Sequence, residues 1–133
     1  MIIQKNMVFI KTIIFDKPPV EEVRILNLLK DLDFNMVKIP NYTFSCYKNV
    51  LTINMEYIKG KQITPHTAPE FKNVVLRDLV NSPNSISAAG YAPSNFIFNK
   101  QGLYFVDLED MREISKEDRM KKFLKEPKNG WIK

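Results

Sequence analysis

The stretch whose reading decides the fold is Pro93–Asp110, PSNFIFNKQGLYFVDLED. Phe96-Ile97-Phe98 is one short apolar run and Leu103 to Val106 is another. Asn99-Lys100-Gln101-Gly102 between them is a turn sequence, so the stretch predicts a β-hairpin with strands at 96–98 and 103–106. Asn95 stands just before the first strand and Asp107 closes the second. A hairpin brings its open ends together, so an amide and a carboxylate are predicted to face one site. Both are oxygen donors of the kind that hold Mg2+ on a nucleotide.

Outward from the hairpin, hydrophobic periodicity orders the rest of the chain. Met7–Phe15, MVFIKTIIF, is β-branched and aromatic and reads as a strand. Asp16-Lys17-Pro18-Pro19 breaks it, with Pro19 suited to a first helical turn. The spacing of Val20, Val23, Ile25, Leu26, Leu28, Leu29 and Leu32 then predicts a helix over 19–32. Val37–Ile39 is a short apolar element stopped by Pro40, and two strands are expected at 42–47 and 50–57 around Lys48-Asn49. A helix follows over 70–80, then a polar loop over 81–87, then the hairpin. A last amphipathic helix is expected over 115–125, with Ser115 as N-cap and Asp118 in the reach-back position of a capping box. Strands and helices in this order predict an α+β fold.

Several segments in shared order resemble the protein-kinase-like superfamily. Val8-Phe9-Ile10-Lys11 is similar to the strand that ends in the phosphate-binding lysine. Glu22-Val23-Arg24-Ile25-Leu26 is similar to the helix whose glutamate orients that lysine. Met36-Val37-Lys38-Ile39 resembles the strand that follows this helix. Met55-Glu56-Tyr57-Ile58-Lys59-Gly60 resembles the segment between the two lobes, whose backbone meets adenine. Asn95 and Asp107 match the two metal-holding positions. The Asp107-Leu108-Glu109 form is similar to the small-molecule branch that includes the choline, aminoglycoside and lipopolysaccharide-core kinases.

The resemblance implies a single kinase-like domain over 1–133: a reduced N-terminal lobe (1–58) of antiparallel strands with one helix, and a minimal C-terminal lobe (59–133) carrying the hairpin. It implies ATP and Mg2+ as cofactors. Lys11, Glu22, Glu56 and Tyr57 would serve the nucleotide, and Asn95 and Asp107 the metal. Departures from the pattern point away from efficient catalysis. Gly90 occupies the place of the base that accepts a hydroxyl proton, and the seven residues before Val8 are too few for a glycine-rich phosphate loop. The 23 residues after Asp110 leave room for one helix rather than a helical bundle. The expected function is therefore a pseudokinase, or a feeble ATP-dependent phosphotransferase acting on a small-molecule hydroxyl. A non-catalytic binding or regulatory module on the same scaffold is the alternative.

Composition narrows the partners. The net charge of +5 comes from 16 Lys and 4 Arg against 15 acids, but the lysines are dispersed. The local group Lys116, Lys121, Lys122, Lys125 and Lys128 shares its helix with Glu117, Asp118 and Glu126, which reads as a solvated face rather than a nucleic-acid surface. The expected partners are thus a nucleotide and a small-molecule or protein partner. His66 is the single histidine, so a multi-histidine metal site is excluded. Cys46 is the single cysteine, so an internal disulfide is excluded and a cytoplasmic location is expected. No apolar run reaches the roughly 18 residues of a membrane span.

Overall fold

The computed structural model describes residues 8–32, 34, 36–88 and 91–124. Met7, Gly90, Lys125, Glu126 and Lys128 lie outside the described residues.

The first sheet forms where the sequence is richest in β-branched residues. β1 (Val8–Ile14) and β3 (Tyr42–Tyr47) flank β4 (Val50–Glu56), both antiparallel to it. Phe9, Lys11 and Ile13 stand opposite Met55, Ile53 and Leu51. Strand alternation therefore puts Lys11 on the same face as three buried side chains. The opposite face carries Val8, Ile10 and Ile14 exposed. The tight turn at Lys48-Asn49 works because Lys48 adopts a positive φ of 55°.

α1 (Val20–Leu29) begins after Pro19, which sits at the N-cap rather than inside the first turn. Ile25, Leu26 and Leu29 form its buried stripe. Its outer charges fix it to a neighbour. Arg112 Nη2 donates to Glu22 at 2.7 Å, and Arg24 pairs with Glu113. Both partners belong to β9 (Met111–Glu113), against which α1 packs.

The second sheet is built around the hairpin, in order β2 (Val37–Lys38), β8 (Gly102–Phe105), β7 (Phe96–Asn99) and β5 (Lys61–Gln62). β7 (Phe96–Asn99) and β8 (Gly102–Phe105) pair antiparallel as expected, with Phe96 opposite Phe105. Gly102 has a φ of 138°, a conformation that favours glycine, and the Asn99 side chain accepts from the Gln101 N–H at 2.8 Å. β5 (Lys61–Gln62) adds to β7. β2 (Val37–Lys38) adds to β8 in parallel, so this sheet joins segments on both sides of position 58. The buried Asp78 carboxylate anchors that junction by accepting from the N–H groups of Met36 and Val37, the latter at 2.6 Å.

α2 (Ala68–Val75) runs directly into a π-helical turn, Leu76–Val80, closed by the Asn81 N–H on the Leu76 carbonyl at 2.9 Å. The expected polar loop over 81–87 instead contains a buried strand, β6 (Ile86–Ala88), paired antiparallel with β9. Ser87 tolerates burial because its hydroxyl meets the Leu79 carbonyl at 3.0 Å and the Tyr91 hydroxyl at 2.8 Å. α3 (Lys116–Leu124) starts at the Ser115 cap, whose hydroxyl accepts from the Asp118 N–H at 3.2 Å. Its Phe123 meets Tyr91 edge-on at 5.8 Å. One apolar cluster, including Leu26, Leu51, Val75, Phe105, Leu108 and Met111, joins α1, β4, α2, β8 and β9. The architecture is α+β with mostly antiparallel sheets. No helix of the described residues is long and apolar enough to cross a membrane.

Candidate functional site

The open end of the hairpin is closed by backbone pairing: the Val106 N–H donates to the Asn95 carbonyl at 3.0 Å. That bond sets Asn95 beside Val106 and hence next to Asp107. The chain then turns through a short 3-10 segment, Leu108–Asp110. Leu108 is buried, so the two acids on either side of it, Asp107 and Glu109, both stay outside the core. They meet the ammonium of Lys11, which reaches over from β1. Lys11 Nζ lies 3.2 Å from Asp107 Oδ1 and is also hydrogen-bonded to Glu109 Oε1.

A cavity of about 300 Å³ opens at this ion cluster. Lys11, Asn95 and Asp107 form its polar end. Phe9, Met55, Ile58, Ile97 and Val106 form an apolar wall, and Glu56 and Tyr57 edge it where the chain leaves β4. Five of the six residues expected to hold nucleotide or metal therefore line one cleft. Glu22 does not line it: its carboxylate is taken by Arg112. Arg112 is held in place from behind, since its Nη1 donates to the carbonyls of Glu109 and Met111, each at 2.7 Å. Gly90, at the expected base position, lies outside the described residues.

Electrostatics single out Glu109. Burial raises its pKa to about 7, with Asp107 adding to the rise through a hydrogen bond and like charge, against the opposing hydrogen bond of Lys11. For Lys11, partial burial alone would lower the pKa. The hydrogen bond and charge of Glu109, with those of Asp107, outweigh burial and raise it. Lys11 thus stays an ammonium, while one nearby acid takes up a proton close to neutral pH.

The donor set fits Mg2+ in kind. Asn95 supplies an amide oxygen and Asp107 a carboxylate, both hard oxygen ligands. Among the described residues no group of three or more His, Cys, Asp and Glu side chains is arranged to hold a metal. These residues therefore suit a cation that keeps water and phosphate oxygens as further ligands, which is how Mg2+ commonly binds.

A larger cavity, about 650 Å³, lies near the end of α1 and β2 and shares only Glu56 with the cleft. Its two lysines are occupied by aromatic faces: Lys30 lies over Tyr42 and Phe44, and Lys38 over Tyr104. It gathers no acid–base cluster comparable to that at Lys11, so the smaller cleft is the stronger candidate.

Two participants escape a reading by order along the chain: Glu109 as a partner of Lys11, and Arg112 as the partner of Glu22. The available signal for the first was the acid–Leu–acid pattern of Asp107-Leu108-Glu109, which sends two carboxylates the same way once the leucine is buried. Compared with known proteins, the chain matches no family model, no curated protein and no solved structure.

Proposed function

We propose that the chain is a nucleotide-binding protein on a protein-kinase-like scaffold, acting as a pseudokinase or a feeble ATP-dependent phosphotransferase toward a small-molecule hydroxyl. The observation that carries the proposal is the convergence of Lys11, Asn95 and Asp107 at the polar end of one largely apolar cleft. That division suits a nucleotide: a flat base against Phe9, Met55, Ile58 and Ile97, and phosphates toward the Lys11 ammonium. Mg2+, when bound, supplies charge neutralisation on the phosphates. Asn95 and Asp107 would hold it. Lys11 would exchange its carboxylate partners for phosphate oxygens.

Turnover is expected to be weak. Gly90 offers no carboxylate to take the hydroxyl proton, and a positioned base contributes on the order of 10²–10⁴ in rate. A non-catalytic binding or regulatory module remains the second reading. It is favoured by Lys11 being neutralised by two carboxylates while Glu22 is committed to Arg112.

The test is a thermal-shift titration with ATP, with and without Mg2+. Saturable stabilisation is expected, roughly 2.7 kcal/mol at 100 times the dissociation constant. Lys11→Met should abolish it, and Asp107→Asn should remove its Mg2+-dependent part. Absence of any nucleotide effect on the wild type would leave the non-catalytic module as the reading.

A further inference from the structure

β1 is an edge strand left open. In the order β1-β4-β3 one side of it pairs with β4, and among the described residues no strand pairs with the other side. Natural edges are blunted by proline, by outward charges or by a bulge. β1 has none of these. Its sequence is VFIKTII, and its seven pairs with β4 run without interruption. Its one charge, Lys11, is held on the cleft face by Asp107 and Glu109.

The exposed apolar surface gathers at this edge. Of the ten large hydrophobic side chains exposed among the described residues, four lie on β1: Val8, Phe9, Ile10 and Ile14, the last two 63% and 75% exposed. The next strand inward does not continue the patch. On the face away from the cleft, Val8, Ile10 and Thr12 stand beside Glu56, Asn54 and Thr52 of β4, and only Ile14 has an apolar neighbour, Val50. The apolarity is thus a strip along the edge rather than a sheet face. A strip suits a strand added beside β1, not a layer packed on top. The opposite edge, β3, offers Thr43, Ser45 and Cys46 to solvent, with Tyr47 as its one large exposed ring.

The strip is complementary to itself. A two-fold axis through Lys11, perpendicular to the sheet, sets two copies of β1 antiparallel. Val8 then stands opposite Ile14 of the second copy, Phe9 opposite its Ile13 and Ile10 opposite its Thr12. Every exposed apolar residue meets an apolar or β-branched one on the same face. At the axis the two lysines face each other with their charges offset by two carboxylates each. We infer that β1 is the interface of a homodimer, in which two three-stranded sheets join edge to edge into one of six strands. The four exposed side chains offer roughly 400 Å² per copy, about half of the ~800 Å² per partner of a standard stable interface. The dimer is therefore weak and concentration-dependent, with main-chain hydrogen bonds supplying part of its stability. It does not depend on nucleotide binding in the cleft.

The test is sedimentation velocity on the full chain over a wide concentration range, under reducing conditions so that the exposed Cys46 links no copies. A reversible monomer–dimer equilibrium is expected. Ile10→Lys and Ile14→Lys, both at exposed positions on the face away from the cleft, should each raise the dissociation constant about ten-fold or more. Tyr47→Lys, on the opposite edge, should leave it unchanged. Hydrogen exchange on the wild type locates the contact. Amides over 8–14 should exchange more slowly at high protein concentration than at low, and those over 42–47 equally at both. A monomer at every concentration overturns the inference. So does a dimer that survives both isoleucine variants, a dimer lost in Tyr47→Lys, or concentration-dependent protection confined to β3. Should a lysine variant not fold, sedimentation and exchange on the wild type still decide the outcome.

Discussion

Replacing Glu109 by glutamine should remove a pH dependence from the stability of the protein. In the folded state Glu109 titrates at about 7, against an ordinary value of 4.5. The raised value means that folding disfavours its ionised form. Its contribution is therefore fully present below pH 4.5 and is lost as pH rises through 7. At 1.36 kcal/mol per unit, discounted because Glu109 is only part-buried and shares its charge interactions with Asp107 and Lys11, the loss across that window is on the order of 1–3 kcal/mol. That is a large share of the 5–15 kcal/mol typical of small domains. Urea denaturation at intervals from pH 4.5 to 8 measures it. The wild-type free energy should fall across the window relative to Glu109→Gln, and the variant should be the more stable protein above pH 7. Subtracting the two profiles cancels the titrating groups that do not touch Glu109 and leaves Glu109 together with its direct partners Asp107 and Lys11. Parallel profiles would refute the reasoning, since they would mean that Glu109 ionises as readily folded as unfolded.

On the proposed function, Mg2+-dependent nucleotide affinity should rise with pH through 7 as Glu109 ionises beside Asp107; calorimetric titrations at pH 5.5 and 8.5 measure this, and equal affinities would contradict it. Gly60→Ala should destabilise the protein by about 1–3 kcal/mol. Its new Cβ would collide with the Phe98 carbonyl and sit 2.9 Å from Ile97 Cγ2, beside the cleft wall. Urea midpoints test this, and an unchanged midpoint would mean that the segment between β4 and β5 yields freely. Phe105→Ala should cost about 3–5 kcal/mol, because its ring is fully buried and meets Phe96 edge-on at 5.2 Å; a loss below 1 kcal/mol in denaturant titration would contradict that packing.

The elements legible in the sequence are those whose own residues specify them. β1, α1, the β3–β4 pair and the hairpin each carry a local pattern that tertiary context leaves intact. β6 was not legible, because Ser85 and Ser87 make its surroundings read as solvated loop. Its burial depends on the Ser87 hydroxyl meeting the Leu79 carbonyl and the Tyr91 hydroxyl, partners that only the fold supplies. β2 was anticipated as the short apolar element Val37–Ile39, but its parallel pairing with β8 was not; β9, three residues long, is too short for any periodicity and is defined by pairing with β6. The α2 helix starts at Ala68 rather than Glu70 because Pro69 is accepted in a first turn. Its π-helical end answers to packing, which buries Asp78, Leu79 and Val80 together.

Of the candidate site, the juxtaposition of Asn95 and Asp107 follows from one hairpin and could be read locally. The choice of ion-pair partners could not. Lys11 meets carboxylates 96 and 98 positions along the chain. Glu22 has two cations in prospect, a flexible lysine on β1 and a guanidinium on β9. The guanidinium wins because Arg112 is already immobilised by two carbonyls, so pairing with Glu22 orders little more of its side chain. A second pair, Arg24 with Glu113, ties the same helix to the same strand. Bringing Glu22 to Lys11 would require Glu22 to give up Arg112, and Lys11 to exchange its pairing with Asp107 and Glu109. The two clusters meet at one residue, Glu109, whose carboxylate pairs with Lys11 while its carbonyl accepts from Arg112, a relation that no segment of the sequence carries by itself.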